Sequence, residues 1–325
     1  MRIIALLLAA VCAAQEPQLA ALRAAIAAAE KRVVEARAAG ITEFIVWSDK
    51  LPEGPNELKP ERVLAEFPFD DLTSVKLQAQ PALVESPRGK ALLLDGENGV
   101  RIPDLAHFTR SDPFTFSLWI KVPGVLERAV VLHHSTALAG KGIRGYELLL
   151  ERGHLTFALN HSSPGESAKI ATQTPLAAGR WTHVAVTYDG SSRAAGMRIF
   201  VDGIAVPTDT LRDALSQDII GDGVVPELVI GRRAGDAGFK GGQVDELRIF
   251  ARSLAPIEVA SLAGLDHFTK ALQAIPELAP GQRDALIEYY IATAHYPSLE
   301  AQRELHAARD AERRFLNANP SAPTR

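Results

Sequence analysis

Cysteine is nearly absent: the 325 residues contain one, Cys12, and it lies inside the first apolar run. A chain without that segment has no thiol and no disulfide. This excludes thiol catalysis and a cystine-stapled framework, and leaves stability to core size or bound ions. No apolar run is long enough to span a bilayer. No block of like charge occurs either: the net charge is -4 and the Lys and Arg residues are dispersed. That distribution argues against a nucleic acid or an anionic membrane as partner. Aromatic residues are only 6% of the chain, thin for a dedicated carbohydrate platform. The sequence also has no His-Glu-x-x-His helix for zinc and no Gly-x-Ser-x-Gly elbow for a serine nucleophile. The Gly-rich stretch "GRRAGDAGFKGG" lacks the Lys-Ser/Thr ending of a phosphate loop, so no nucleotide is expected.

What is present divides the chain. Residues 1–14, "MRIIALLLAAVCAA", join a basic Arg2 to an apolar run and small residues, the pattern of a cleavable export signal. The expected location is therefore secreted, periplasmic or at the cell surface. In residues 15–40, Leu19, Leu22, Ile26, Ala29, Val33 and Ala36 recur at spacings of three and four, which predicts a helix with one apolar seam ending at Gly40. Prolines and glycines in 41–60 predict a linker. From 61 to 265 the period changes to two. "FTFSLWIKV" sets Phe114, Phe116, Leu118 and Ile120 on one face and Thr115, Ser117, Trp119 and Lys121 on the other. "YELLLERGHLTFAL" predicts a hairpin turning at Arg152-Gly153, and "MRIFVDGIAV" one at Asp202-Gly203. Pro256 to Leu262 reads as a short helix. Residues 266–318 read as a charged helical extension interrupted at Pro297 and able to pair with the first helix, and 319–325 as a disordered tail.

The ordered series "FPFDD", "GKALLLDGENGVRI", "FTFSLWIKV", "WTHVAVTYDG", "RIFVDGIAV" and "LVIGRRAGDAGFKGGQVDELRIF" resembles the laminin-G-like, concanavalin-A-like jelly-roll domain of bacterial extracellular proteins. The resemblance implies a mainly β fold, an antiparallel β-sandwich with flanking helices, and often a calcium ion. The arrangement is also similar to the insert of planctomycete surface proteins that carry a cytochrome-like module. Their Cys-x-x-Cys-His signature is missing here, so no haem is expected.

"GGQVDELRIF" poses the sharpest question. Counting by twos puts Asp245 on the face of Leu247 and Ile249, and an inward carboxylate is costly unless paired or metal-bound. With the acidic turn "LDGENG", the family resemblance implies one Ca²⁺ shared by Asp95, the Gly96 carbonyl, Asn98 and Asp245. The alternative is that Asp245 accepts backbone N–H bonds and Asp95-Gly96 is a tight turn. Catalysis has less support. The Glu-x-Asp-x-x-Glu spacing of related glycanases is missing, and neither Glu147/Glu151 nor Asp245/Glu246 is a suitable carboxylate pair. His133 and His134 diverge in a strand, and His154, His161 and His183 are scattered. A non-catalytic recognition or adhesion module for a glycan or an extracellular protein is the reading that remains. Trp119, His161 and Trp181 are its candidate contacts, and 133–144, 160–169 and 207–223 are rim loops. The alternative is a structural spacer in a larger surface assembly, binding no small ligand.

Overall fold

The structure, a computed structural model, describes residues 2–50, 60–140, 142–221, 226–265 and 280–320; side chains are described from residue 15 onward in the first helix and from 281 in the third. The chain divides into two compact units, one of residues 1–56, 216–218 and 268–325 and one of residues 57–215 and 219–267.

In the second unit, alternation of apolar and polar residues builds two antiparallel sheets. The first runs in the order β13 (Ile204–Ala205), β12 (Met197–Val201), β11 (Trp181–Tyr188), β6 (Phe114–Lys121), β16 (Gln243–Phe250), β4 (Gly89–Leu93), β3 (Ala82–Ser86), with β1 (Val63–Phe67) also on β16. The second runs β14 (Thr208–Asp213), β10 (Glu166–Thr172), β9 (His154–Ser162), β8 (Gly142–Glu151), β7 (Arg128–Leu138), β15 (Leu228–Ile230), β5 (Gly99–Ile102), β2 (Lys76–Gln78). This is a two-sheet jelly roll. The faces that meet are apolar: Phe114, Phe116, Leu118 and Ile120 from β6 join Val184, Val186 and Tyr188 from β11 and Leu155, Phe157 and Leu159 from β9 in one buried core. Phe114 stacks on Phe108 at 4.6 Å and meets Phe157 edge-on at 6.1 Å, the offset and T-shaped geometries that ring quadrupoles favour. Two buried phenols are satisfied at the core edge, Tyr146 donating to the Ala106 carbonyl and Tyr188 to that of Arg110.

The hairpin expected at Arg152-Gly153 forms, both residues taking positive φ as a tight two-residue turn demands. Of the three stretches expected as rim loops, the first two are mostly strand and the third is strand in its first part. Residues 133–138 and 142–144 complete β7 and β8, 160–162 and 166–169 extend β9 and β10, and 208–213 form β14. The ladder simply continues, Ala137 pairing with Ile143 and Ala168 with Asp213, because backbone pairing does not need an apolar pattern to propagate. Residues 141 and 222–223 of those stretches lie outside the described residues. The short helix after the last strand, α2 (Pro256–Leu262), covers Ala185, Phe200 and Phe250 on the outer face of the first sheet through Val259 and Leu262.

The helical unit holds α1 (Arg2–Ser48), α3 (Pro280–Thr293) and α4 (Tyr296–Ala318). The first helix runs past Gly40, the expected stop, and takes in the start of the expected linker, of which 51–59 lie outside the described residues. Gly40 serves packing instead of capping: a Cβ there would come within 2.8 Å of the His295 ring. The expected export signal contributes only helical backbone to the description. Helix α4 pairs with α1 through Leu19 against Leu316 and through Arg23–Glu312, Arg32–Glu304 and Arg309–Glu30 ion pairs. Pro297 sits in the first turn of α4, where its missing N–H costs nothing. Residues 266–279 of the expected extension and 321–325 of the expected tail lie outside the described residues.

Candidate functional site

The outer face of the first sheet carries Trp119, Trp181 and Asp245. Asp245 pairs with Trp119 across the β16–β6 ladder, so both side chains leave the sheet outward, whereas Val244 opposite Ile120 points into the core. Between Asp245 and Arg248 the register advances three residues on β16 against two on β6, a bulge at which Glu246 takes φ 52°. The extra residue resets the parity. Leu247 and Ile249 enter the core, and Asp245 does not share their face, contrary to the count by twos. The Asp245 carboxylate is buried and hydrogen-bonded through both oxygens: it accepts the Glu246 N–H at 2.8 Å and the Ser86 hydroxyl at 2.5 Å. Desolvation raises its pKa against those two bonds. It is a strut that pins the bulge to the β3–β4 turn.

From that same turn Arg88 lays its guanidinium 3.3 Å over the Trp119 ring, and the His183 ring meets Trp119 edge-on at 5.3 Å. One face of Trp119 is therefore already occupied, which weakens it as a sugar-stacking platform. Trp181 lies two positions before His183 on β11, diagonal to Trp119 on the same outer face and half-buried. Beneath them, Ser117 Oγ and His183 Nε2 are 2.8 Å apart. With exposures of 1% and 0% this pair cannot be reached by a substrate, and burial lowers the imidazole pKa to about 3, which keeps the ring neutral.

The four residues expected to share a cation do not converge. Asp95 Oδ1 accepts the Glu97 and Asn98 N–H groups, and Asn98 Oδ1 accepts the Asp95 N–H, closing a tight turn. Those backbone bonds hold the Asp95 carboxyl below the usual range. The Gly96 carbonyl is closed off by the backbone of Gly238, where a Cβ would stand 2.0 Å from it. In the β4–β16 register Leu93 faces Gln243, so Asp245 lies level with Ala91, four residues or ~13 Å along the strand from Asp95. Calcium ligands must lie within ~2.6 Å of one ion, and this set does not fit one. Among the described residues no group of three or more His, Cys, Asp or Glu side chains could hold a metal ion.

The outer face of the second sheet holds a pocket. It measures ≈ 310 Å³ and is walled by Glu151, His154 and Thr156 on β8–β9 and by Thr172, Gln173 and Asp209 on the far side. Arg152 and Ala171 contribute to it as well. The His154 tautomer follows from its partner: Nδ1–H donates to the Thr172 carbonyl at 2.8 Å, leaving Nε2 as an acceptor. Gln173 Nε2 donates to Asp209 Oδ1 at 2.8 Å. Glu151 is held from behind by a chain of ions. Lys169 Nζ reaches it at 2.6 Å and Arg128 grips both Glu151 and Asp236. Arg233 joins Asp236 to the buried Glu147, to which Asn160 also donates. Burial pushes the Glu151 carboxyl up, but Lys169 and Arg128 outweigh it and leave the pKa lowered. A carboxylate held as an anion does not supply the raised-pKa general acid that glycoside hydrolysis needs.

The third candidate contact, His161, lies at the end of β9 in the second sheet, where Arg144 donates to its carbonyl at 3.2 Å. It is thus on the sheet opposite the two tryptophans. Of the pocket residues, the sequence singled out Glu151, as half of an unsuitable carboxylate pair, and His154, as one of the scattered histidines. The signal for the rest was slight: the outward positions of β9 and β10 carry small or polar residues, Thr156, Ala158 and Ala171, where a wholly covered face would carry larger apolar ones.

Strand order and antiparallel pairing define a two-sheet jelly roll. The sequence profile of the concanavalin A-like lectin/glucanases superfamily matches residues 94–260, just over half of the chain, and the chain belongs to that superfamily. No curated protein matches it. Among solved structures, the chain is similar to domain 4 of AbnA, an extracellular GH43 arabinanase from Geobacillus stearothermophilus in complex with arabinotriose. The identity is 20% over 62% of this chain and 98% of that one, with a TM-score of 0.44. It is similar also to the binding domain of Paraclostridial Mosquitocidal Protein 1, with 15% identity, 62% and 52% coverage and a TM-score of 0.48. A third is the botulinum neurotoxin serotype G binding domain, with 10% identity, 60% and 46% coverage and a TM-score of 0.44. The chain spans about half the length of these two toxin domains.

Proposed function

We propose that the jelly roll is a non-catalytic binding module for a carbohydrate, and that its site is the pocket walled by Glu151, His154, Thr156, Gln173 and Asp209. The observation that carries this reading is the composition of the pocket. A sugar hydroxyl both donates and accepts, and the walls offer the carboxylates of Glu151 and Asp209, the His154 imidazole, the Gln173 amide and the Arg152 guanidinium around a small apolar patch at Ala171. The volume lies at the small end of the ~300–1,000 Å³ usual for ligand sites, in keeping with one or two sugar residues. The ion chain behind Glu151 supports it by fixing that carboxylate in place before a ligand arrives, which lowers the ordering cost of binding.

Export belongs to the same proposal. It is supported by Arg2 and the apolar run that follows, and no helix among the described residues is long and apolar enough to cross a membrane. N-terminal sequencing of the protein recovered from outside the cytoplasm should begin near Gln15. Binding to a panel of immobilised oligosaccharides tests the main claim. The wild-type chain should retain a subset that His154→Ala and Gln173→Ala both lose at unchanged melting midpoint. Retention by both variants would exclude this pocket as the site.

A further inference from the structure

Helix α1 has two apolar seams, and the structure covers one of them. The seam through Leu19, Ala29, Gly40 and Phe44 is buried, and the ion pairs to α3 and α4 flank it. The second seam begins one residue later and repeats every four and three positions: 20, 24, 27, 31, 34, 38, 41 and 45. Every one of these residues is exposed, and Lys31 alone is charged. Val34, Ile41 and Ile45 are 66%, 47% and 52% exposed, an unusual concentration of bare β-branched side chains along one line of a helix. The heptad spacing, sustained over ~38 Å at 1.5 Å per residue, is that of a coiled-coil contact.

We propose that this seam pairs with the same seam of a second copy of the chain, in antiparallel orientation. Two features select that occupant. The first is volume. The seam is small at its beginning and large at its end, so an antiparallel copy sets Ala20 against Ile45, Ala24 against Ile41, Ala27 against Ala38 and Lys31 against Val34. The two ends of the contact then have equal bulk, an alanine against an isoleucine in each outer layer. A parallel copy would put isoleucine on isoleucine at one end and leave a gap of alanines at the other, and close packing tolerates neither. The second is charge. Lys31 lies 3.7 Å from Glu35 in its own chain, and the two are the charged groups at the middle of the exposed face. Antiparallel pairing about the midpoint between residues 32 and 33 carries Lys31 of each copy beside Glu35 of the other. The contact is thus self-complementary, as a two-fold interface requires.

Light scattering on the eluting full-length chain over a concentration series tests this. The expected result is a species of twice 35.0 kDa that the double variant Ile41→Glu/Ile45→Glu converts to monomer with unchanged helical and β circular dichroism. Orientation is read by disulfide trapping in a Cys12→Ala background. Chains with Ala27→Cys and chains with Ala38→Cys should cross-link when mixed, while neither cross-links alone. A monomer at every concentration would overturn the proposal, as would a dimer that survives the double variant. Cross-linking of Ala27→Cys to itself would show a parallel contact and overturn the antiparallel assignment.

Discussion

Asp245 and Trp119 face each other across adjacent strands, outside the core and one residue before the bulge that turns Leu247 inward. An acidic residue in an apolar strand is thereby explained without a metal. The carboxylate accepts the N–H of Glu246, whose left-handed backbone needs holding, and a hydroxyl from the turn that also carries Arg88 onto Trp119.

Removing that strut should be costly. Asp245→Ala leaves the Glu246 N–H and the Ser86 hydroxyl without their buried acceptor, and should lower stability by about 1–3 kcal/mol in denaturant melts. Asp245→Asn keeps an acceptor for Glu246 and should lose less. Equal losses for the two variants would contradict the strut.

Acid should unfold the sandwich early. Burial is the main cause that lowers the imidazole pKa to about 4 at His133 and to about 3 at His134 and His183. The unfolded chain takes up these protons near 6.5, so between there and about 4 it binds more protons than the folded chain, and stability drops as the pH is lowered. Each imidazole adds a slope of up to ~1.4 kcal/mol per pH unit, and above 6.5 the contribution is fully present. Melting midpoints from pH 8 to 4 at fixed ionic strength should fall below 6.5, less steeply in His183→Gln. A flat profile would contradict the neutral, buried state of these rings.

The ion chain behind the pocket should matter for binding more than Glu151 exposure suggests. Arg128→Ala frees Asp236 and one side of Glu151, and Arg128 and Arg233 together hold Asp236 well below the usual carboxylate range against the cost of burial. The depressed pKa values of Asp236 and Glu151 place their stabilisation above about pH 4, lost as pH falls further. Arg128→Ala should therefore shrink the acid-induced loss below pH 4 and weaken oligosaccharide binding at pH 7. Unchanged binding would separate the network from the site.

Calcium and chelator should leave the melting midpoint unchanged, because the Asp95 turn and Asp245 lie too far apart for one ion. An ion at a hundred times its dissociation constant would stabilise by about 2.7 kcal/mol, and such a shift would require a donor set other than these four residues.

What was legible in the sequence was whatever repeats locally. The inward row of β6, the turn at Arg152-Gly153 and the helix from Pro256 follow from period and turn chemistry over a few residues. The bulge at Glu246 did not show, since a single residue of positive φ is imposed by what Asp245 and Ser86 do across the sheet. Gly40 misled for a similar reason: a glycine that ends a helix and one that admits a neighbouring imidazole look alike until His295 is in place. The pocket was least legible. Its walls come from residues 151–156, 171–173 and 209, brought together by pairing of β8, β9, β10 and β14, with no spacing along the chain to announce them.

The central claim is the pocket, and amide chemical-shift mapping of the ¹⁵N-labelled chain against oligosaccharides retained in the immobilised panel tests it most directly. The account predicts saturable shifts clustered at His154, Thr156, Thr172, Gln173 and Asp209. Shifts clustered instead around Trp119 and Trp181, or none at saturating sugar, would contradict it.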